Sequence, residues 1–317
     1  MTDRTPPPRP GITTPVAMPA ATSTSTHAST RAPMQIAIEG IAFWSDHLPG
    51  WDIAAAAFRG ERAPLDEAAP RPAPTLLPAA ERRRAPDTVA LGLEVAARAL
   101  ADSGRPATEV ASVFASAHGD LGIADYLCAT LAEDPALVSP IRFHNSVHNA
   151  VSGYWGIATG CMRASTSVAA FEHTFAAGLL EALAQVHATD DAVLLAACDI
   201  RTVGPLAQLA HSDGRMAVAL VLAPAARSPA GLRLSVTYTE DGPPTAVRPS
   251  PTSPAGEALA GNALADAIPF LEWLAQVQTP IAGRTGPGRS AWLPLGPAAG
   301  ACVGLYVEVP PKKETIP

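Results

Sequence analysis

Ala169 to Ala197 reads AAFEHTFAAGLLEALAQVHATDDAVLLAA, and this stretch decides the fold. Its Ala- and Leu-rich first part, Ala169 to His187, predicts a helix, because both residue types lose little side-chain freedom in one. Ala192 to Ala197 (AVLLAA) is short, apolar throughout and punctuated by Asp190-Asp191, so it predicts a strand buried on both faces. A helix that runs into a buried strand is the unit of an α/β layer.

Working outward toward the N-terminus, Ser146 to Thr159 predicts a helix ended by Gly160, with a break at Pro140 before it. Asp120 is a cap for a helix reaching Leu131, and Val110 to Ala117 (VASVFASA) reads as a short strand. Asp87 is placed to cap a helix whose apolar positions Val89, Leu93, Ala96, Ala97 and Leu100 keep helical spacing until Ser103 and Gly104 stop it. Pro64 to Pro86 is a Pro-rich connection and Trp51 to Phe58 a short helix. Gln35 to Trp44 (QIAIEGIAFW) alternates with a period near two, which predicts a strand ended by Pro49-Gly50.

Toward the C-terminus, Met216 to Leu222 and Leu232 to Thr239 predict two strands joined as a hairpin across Pro224 to Gly231. A helix follows within Ala255 to Gln278, with Leu259, Leu264, Ile268, Leu271 and Leu274 apolar, and Cys302 to Val309 closes as a last strand. The element order favours an α/β layered domain, a mixed sheet with helices on both faces, without solenoid repeats.

At 317 residues the chain is long enough for a full core. Residues 1–33 are Pro, Ser and Thr rich without period and read as a disordered tail, 34–309 as the domain, and 310–317 as a flexible C-terminus. The tail lacks the continuous apolar core of a secretory signal, and no run approaches the roughly 18 apolar residues of a membrane span, so a cytoplasmic protein is expected. Lys plus Arg number 22 and Asp plus Glu 29, a net charge of −7 that argues against nucleic acid as a partner. Hydrophobic residues make up 48% of the chain and charged residues only 16%, which points to surface covered by a partner. Cys128, Cys161, Cys198 and Cys302 are scattered, so neither a zinc knuckle nor a disulfide framework is written here.

Three constellations could carry chemistry. His118 and Asp120 with His144 and His148, the last two four apart, could ligate a metal, but Asn145 stands where a metallohydrolase helix needs a glutamate. Hydrogen bonding of these groups within a loop or interface is the preferred reading, and no metal is expected. Cys161, Ser165 or Ser167 with His144 or His148 could form a nucleophile and base, although Cys161 precedes Met162-Arg163 rather than a helix. No phosphate-binding glycine motif is present and no cofactor is expected. The run Arg82-Arg83-Arg84 reads as a solvated helix approach or as a surface for an acidic carrier protein.

VSPIRFHNSVHNAVSGYWGIATG (Val138 to Gly160), with Asn149, Gly153 and Gly160 in spacing, resembles a segment of the β-ketoacyl synthases of the thiolase superfamily. QIAIEGIAFW, the helix from Asp87 and VASVFASAHGD resemble the N-terminal half of those enzymes in order and spacing. FHNSVHN, the Ala-Thr-Gly and HTFAAGLLEALAQV are similar to the single-half, ketosynthase-like family found beside aryl polyene and xanthomonadin-type pigment genes. The resemblance implies a thiolase-like layered fold, one half of a ketosynthase.

It also implies where chemistry is missing. Active ketosynthases carry a Cys at the strand-to-helix elbow before the long helix, where Ser165-Thr166-Ser167-Val168-Ala169-Ala170 places Val168 or Ala169. No segment after Asp199 resembles the half that brings the catalytic histidines. The expectation is a non-catalytic subunit resembling a chain-length factor in type II polyketide or fatty-acid-like polyene synthesis, paired with an active β-ketoacyl synthase as a heterodimer and meeting acyl carrier protein indirectly. Phe143, His144, Asn145, His148, Asn149, Gly153 and Val168 are its candidate acyl-tunnel or partner-interface residues, with no catalytic residue among them.

Overall fold

Strand residues of alternate parity enter two different cores. In β4 (Val193–Ile200), Val193, Leu195 and Ala197 join one core while Leu194, Ala196 and Cys198 join the other, and β5 (Arg215–Pro224) divides likewise. The same rule would break in β1 (Met34–Ser45), where Ile36 and Ile38 share a core with Ile41 and Phe43. A bulge between Ile38 and Gly40 absorbs the odd residue and restores the facing. Gly40 is required there, since a Cβ would stand 2.0 Å from the Ala99 carbonyl oxygen.

The computed structural model describes residues 32–228, 231–242, 249–279, 290–298 and 301–309. The sequence-expected tail, apart from Ala32 and Pro33, and the 310–317 terminus lie outside the described residues. The strands form one eight-stranded mixed sheet in the order β3-β2-β4-β5-β1-β6-β8-β7. Here β2 is Ala111–Ala115, β3 Ser165–Val168, β6 Leu232–Gly242, β7 Ser290–Ala298 and β8 Ala301–Glu308. β3, β2 and β4 are parallel and the remaining neighbours antiparallel.

One face of the sheet carries α3 (Asp87–Ser103) together with Val151 and Trp155 of α6 (Ala150–Thr159). The other carries α1 (Trp51–Phe58), α7 (Thr174–Thr189), the short α8 (Pro254–Glu257) and α9 (Ile268–Gln278). α7 approaches the sheet closely because Gly178 has no Cβ; one would lie 3.0 Å from the Ala115 Cβ. The helices α2 (Ala79–Arg84), α4 (Leu121–Glu133) and α5 (Pro140–His144) complete the chain.

The expected architecture is present, with local corrections. β5 and β6 do not form a hairpin: β1 lies between them and pairs antiparallel with both, two strand spacings of about 4.8 Å that the connection after Pro224 is long enough to cross. The expected helix from Ala169 begins at Thr174, because Ser165–Val168 pairs with β2 and the chain must turn before the helix can start. The expected helix from Ser146 begins at Ala150, and Pro140 opens α5 rather than breaking the chain, as proline does in a first helical turn. Asp87 is the first residue of α3 and pairs with Arg71 instead of capping. Within Ala255 to Gln278 the single expected helix is two, joined through a 3₁₀ turn at Ala265–Ala267.

Candidate functional site

Between β3 and α7 the backbone makes a strained turn. Phe171 has φ 47°, in the left-handed region that costs a residue with a Cβ about 1–3 kcal/mol. Buried Thr174 holds it there: its hydroxyl oxygen accepts from the Ala170 amide at 3.0 Å, and its hydroxyl donates to the Phe171 carbonyl at 2.8 Å. Phe171 is 78% exposed and lines a cleft of about 600 Å³ together with His118, His173, Leu209, His211 and Asn262.

The loop that brings His118 to this cleft is held by one buried carboxylate. Asp199, at the end of β4, accepts from the Ser116 hydroxyl at 2.9 Å, the Ala117 amide at 2.7 Å and the His118 amide at 3.2 Å. Ser116 Oγ in turn accepts from the Gly119 amide at 2.8 Å. Burial raises the Asp199 pKa to about 6 despite these donors, with the bond from the Ala117 amide the largest of the opposing effects. Burial also lowers the His118 pKa, which favours its neutral form, while Asp120, its carboxylate capping α4 through the Ile123 amide, is raised by burial.

The sequence candidates distribute around a neighbouring surface. His144 ends α5 and packs edge-on against Tyr154, whereas His148 lies in the turn before α6 and donates through Nε2 to the Ser116 carbonyl at 2.8 Å. The two imidazoles therefore do not share a helix face, and among the described residues no group of three or more His, Cys, Asp or Glu side chains is placed to hold a metal. Asn145 is buried and accepts from the Tyr154 hydroxyl at 3.1 Å. Asn149 leads into α6, its carbonyl accepting from the Gly153 amide at 3.1 Å, and Gly153 has open space where a Cβ would stand.

Val168 ends β3 opposite Ala115, and the turn itself falls at Ala170–Phe171. The Cys161 thiol faces the Val110 carbonyl at 3.6 Å, and Ser165 Oγ bonds Ser112 Oγ at 3.0 Å. Among the described residues no hydrogen bond joins Cys161, Ser165 or Ser167 to His144 or His148.

This surface is apolar and open. α4 buries only Ile123, α5 nothing, and α6 only Val151 and Trp155. Phe143 is 66% exposed, Ile157 81% and Met162 94%, with Leu137, Ile141 and Val147 exposed as well. β3 is the sheet's terminal strand on that side.

Asp199, Thr174 and Phe171 were absent from the sequence candidates. Asp199 follows a buried apolar strand, a weak signal, while Thr174 and Phe171 act through a turn that the sequence reads as helix.

Residues 56–284, well over half of the chain, match the family model for the β-ketoacyl synthase N-terminal domain. The chain belongs to that family. Its fold is also that of solved ketosynthase assemblies. One is a chain from the complex of the ketosynthase ApeO with its chain length factor ApeC from Xenorhabdus doucetiae, 22% identical, TM-score 0.62, covering 87% of this chain and 99% of that one. The ishigamide ketosynthase/chain length factor gives 16% identity, TM-score 0.64 and coverage of 87% and 99%. A chain from the AntDE:AntF complex, a type II polyketide acyl-carrier protein with its ketosynthase, gives 9% identity, TM-score 0.64 and coverage of 88% and 100%. No curated protein matches the chain. The ketosynthase-like chain is thus a thiolase-like half-domain with a mixed eight-stranded sheet, and no helix among its described residues is long and apolar enough to cross a membrane.

Proposed function

We propose that this chain is a chain-length-factor-like subunit without catalysis of its own, which pairs with an active β-ketoacyl synthase in the cytoplasm and bounds the space for a growing polyene chain. The observation that carries the reading is the apolar layer of α4, α5 and α6 beside the edge strand β3, where three helices of apolar composition bury three residues between them. An unpartnered layer of this kind is covered in the working protein. The strained turn supports the non-catalytic part: it displays Phe171, whose ring offers neither a nucleophile nor a proton. A heterodimer of this kind would meet an acyl carrier protein as its second partner.

Co-expression with the ketosynthase of the same organism tests the reading. The two chains should co-elute as a 1:1 complex, and Phe143→Asp with Ile157→Asp should separate them while the isolated variant keeps its melting temperature. A wild-type chain that self-associates through this face and ignores the synthase would overturn the proposal. The competing reading, an acyltransferase or hydrolase using Cys161, requires that Cys161→Ser abolish product while the complex still assembles.

A further inference from the structure

α7 begins directly after the strained turn, so the positive end of its sixteen-residue dipole lies at the Phe171 elbow. Such a terminus favours a negative charge, and in an open elbow that charge would be a thiolate or an oxyanion. The residue at the N-cap position does not supply it, since the His173 side chain makes no cap bond. A carboxylate from a distant part of the chain does. Buried Asp266, in the 3₁₀ turn Ala265–Ala267, accepts from the amide of Ala176, the third residue of α7, at 3.0 Å. That turn packs against both α7 and the Phe171–His173 turn.

An amide donor at a helix N-terminus favours the ionised carboxylate over the acid. The terminus is equivalent to about half a positive charge, so a full negative charge set against it leaves the site net negative. Asp266 is only 5% exposed, and water does little to screen that charge from the elbow. Shape does not require a carboxylate here: an asparagine would accept the same bond without burying a charge. What Asp266 adds over an amide of its own size is electrostatic.

Resting on the non-catalytic reading above, we propose that Asp266 is a positioning residue that fills the anion position at the N-terminus of α7, so that the elbow stays unreactive even with a thiol in place of the Phe171 ring. A thiolate there would face a buried like charge instead of an unopposed dipole, and the thiol would hold its proton. The same field opposes an oxyanion developing beside the elbow. The neutral Phe171 ring suits this environment. The missing nucleophile is then one of two separate obstacles to acyl transfer, and restoring a cysteine removes only the first.

The test is the pH profile of iodoacetamide alkylation at position 171 in the full chain carrying Phe171→Cys, read by peptide mass so that the four native cysteines are counted separately. The introduced thiol should titrate at about 8.5 or above, the value of an unactivated cysteine. Adding Asp266→Asn should lower that pKa by about one unit, a tenfold change in ionisation constant, which a purely structural cap would not do. Glu172 and His173 of the turn, His118 and His211 across the cleft, and Glu272 of α9, whose carboxylate accepts from Thr252 and Ser253, are the same in both variants, so the difference isolates Asp266. A thiol that titrates below about 8 with Asp266 in place overturns the proposal, as does a pKa that Asp266→Asn leaves unchanged. Should the double variant fail to fold, the profile of Phe171→Cys decides on the same threshold. The measurement needs no partner chain: acyl transfer by the wild-type chain would sink the non-catalytic reading, whereas the alkylation profile alone judges Asp266.

Discussion

Helices α3 and α6 lie on the same side of the sheet and have met different fates. α3 buries ten of its seventeen residues, whereas α6 buries two of ten although it is the more hydrophobic in composition. α4, also more apolar in composition than α3, buries one of thirteen. Hydrophobicity in this chain thus falls in two settings: α3 packs against its own sheet, whereas the α4–α6 layer leaves most of its apolar side chains outside the core. The distinction predicts that substitutions will separate into those that damage folding and those that damage assembly.

The largest contrast is all or none. Phe143→Asp with Ile157→Asp should abolish co-elution with the synthase while the isolated chain melts within a degree or two of wild type; a melting point lowered by ten degrees would mean that this layer is core. Leu93→Ala in α3, fully buried, should cost about 2–5 kcal/mol in urea unfolding, and any pairing it loses should return at a temperature where it is folded.

The Asp199 carboxyl adds a pH signature. Its pKa of about 6 lies above the ordinary range near 4, so the native state holds this proton more tightly than the unfolded chain. The associated stability is complete below about pH 4 and is lost as pH rises through 6, amounting to about 3 kcal/mol by pH 7.5. Urea midpoints of wild type and Asp199→Asn, compared from pH 4 to 7.5, should diverge most in wild type's favour at the acid end; a constant difference would show that the carboxyl does not titrate there.

Two smaller effects concern the elbow. Phe171→Gly removes the left-handed strain and an exposed ring, and should raise stability by about 1 kcal/mol. If product length shifts in the same variant, the ring also serves the assembled complex. Cys161→Ser should leave both stability and product within error, since its thiol makes only a long contact with the Val110 carbonyl.

What could be read from the sequence was local. Strands β4 and β5 announced themselves by apolar runs, α4 by the Asp120 cap, and α3 and α6 by Gly104 and Gly160, both in left-handed conformation at the helix ends. The misreadings were of pairings between distant residues. β3 is four residues long and is a strand only because β2 lies beside it; β7 carries Pro294 and Pro297, which mask it; and the two strands that look like a hairpin are separated by one from the far end of the chain. Asp199 gains its importance from amides 82 and 81 residues earlier, a relation that no spacing rule displays. The candidate surface around Phe143 was legible as apolar sequence, but its exposure was not, because exposure depends on which helices the sheet has room to cover.

The position of β1 has a consequence in time. Of the eight strands of this sheet it is the earliest in the chain, and it sits in the sheet's interior, with Gln35 bonded to Ser235 across 200 residues of chain. At about 5–20 residues per second, β1 waits some 10–40 seconds before β6 exists to pair with it. Until then its alternating apolar faces and unpaired backbone edge are offered to whatever is near, so yield in a heterologous host should depend on chaperone supply and on translation rate before any property of the finished protein comes into play.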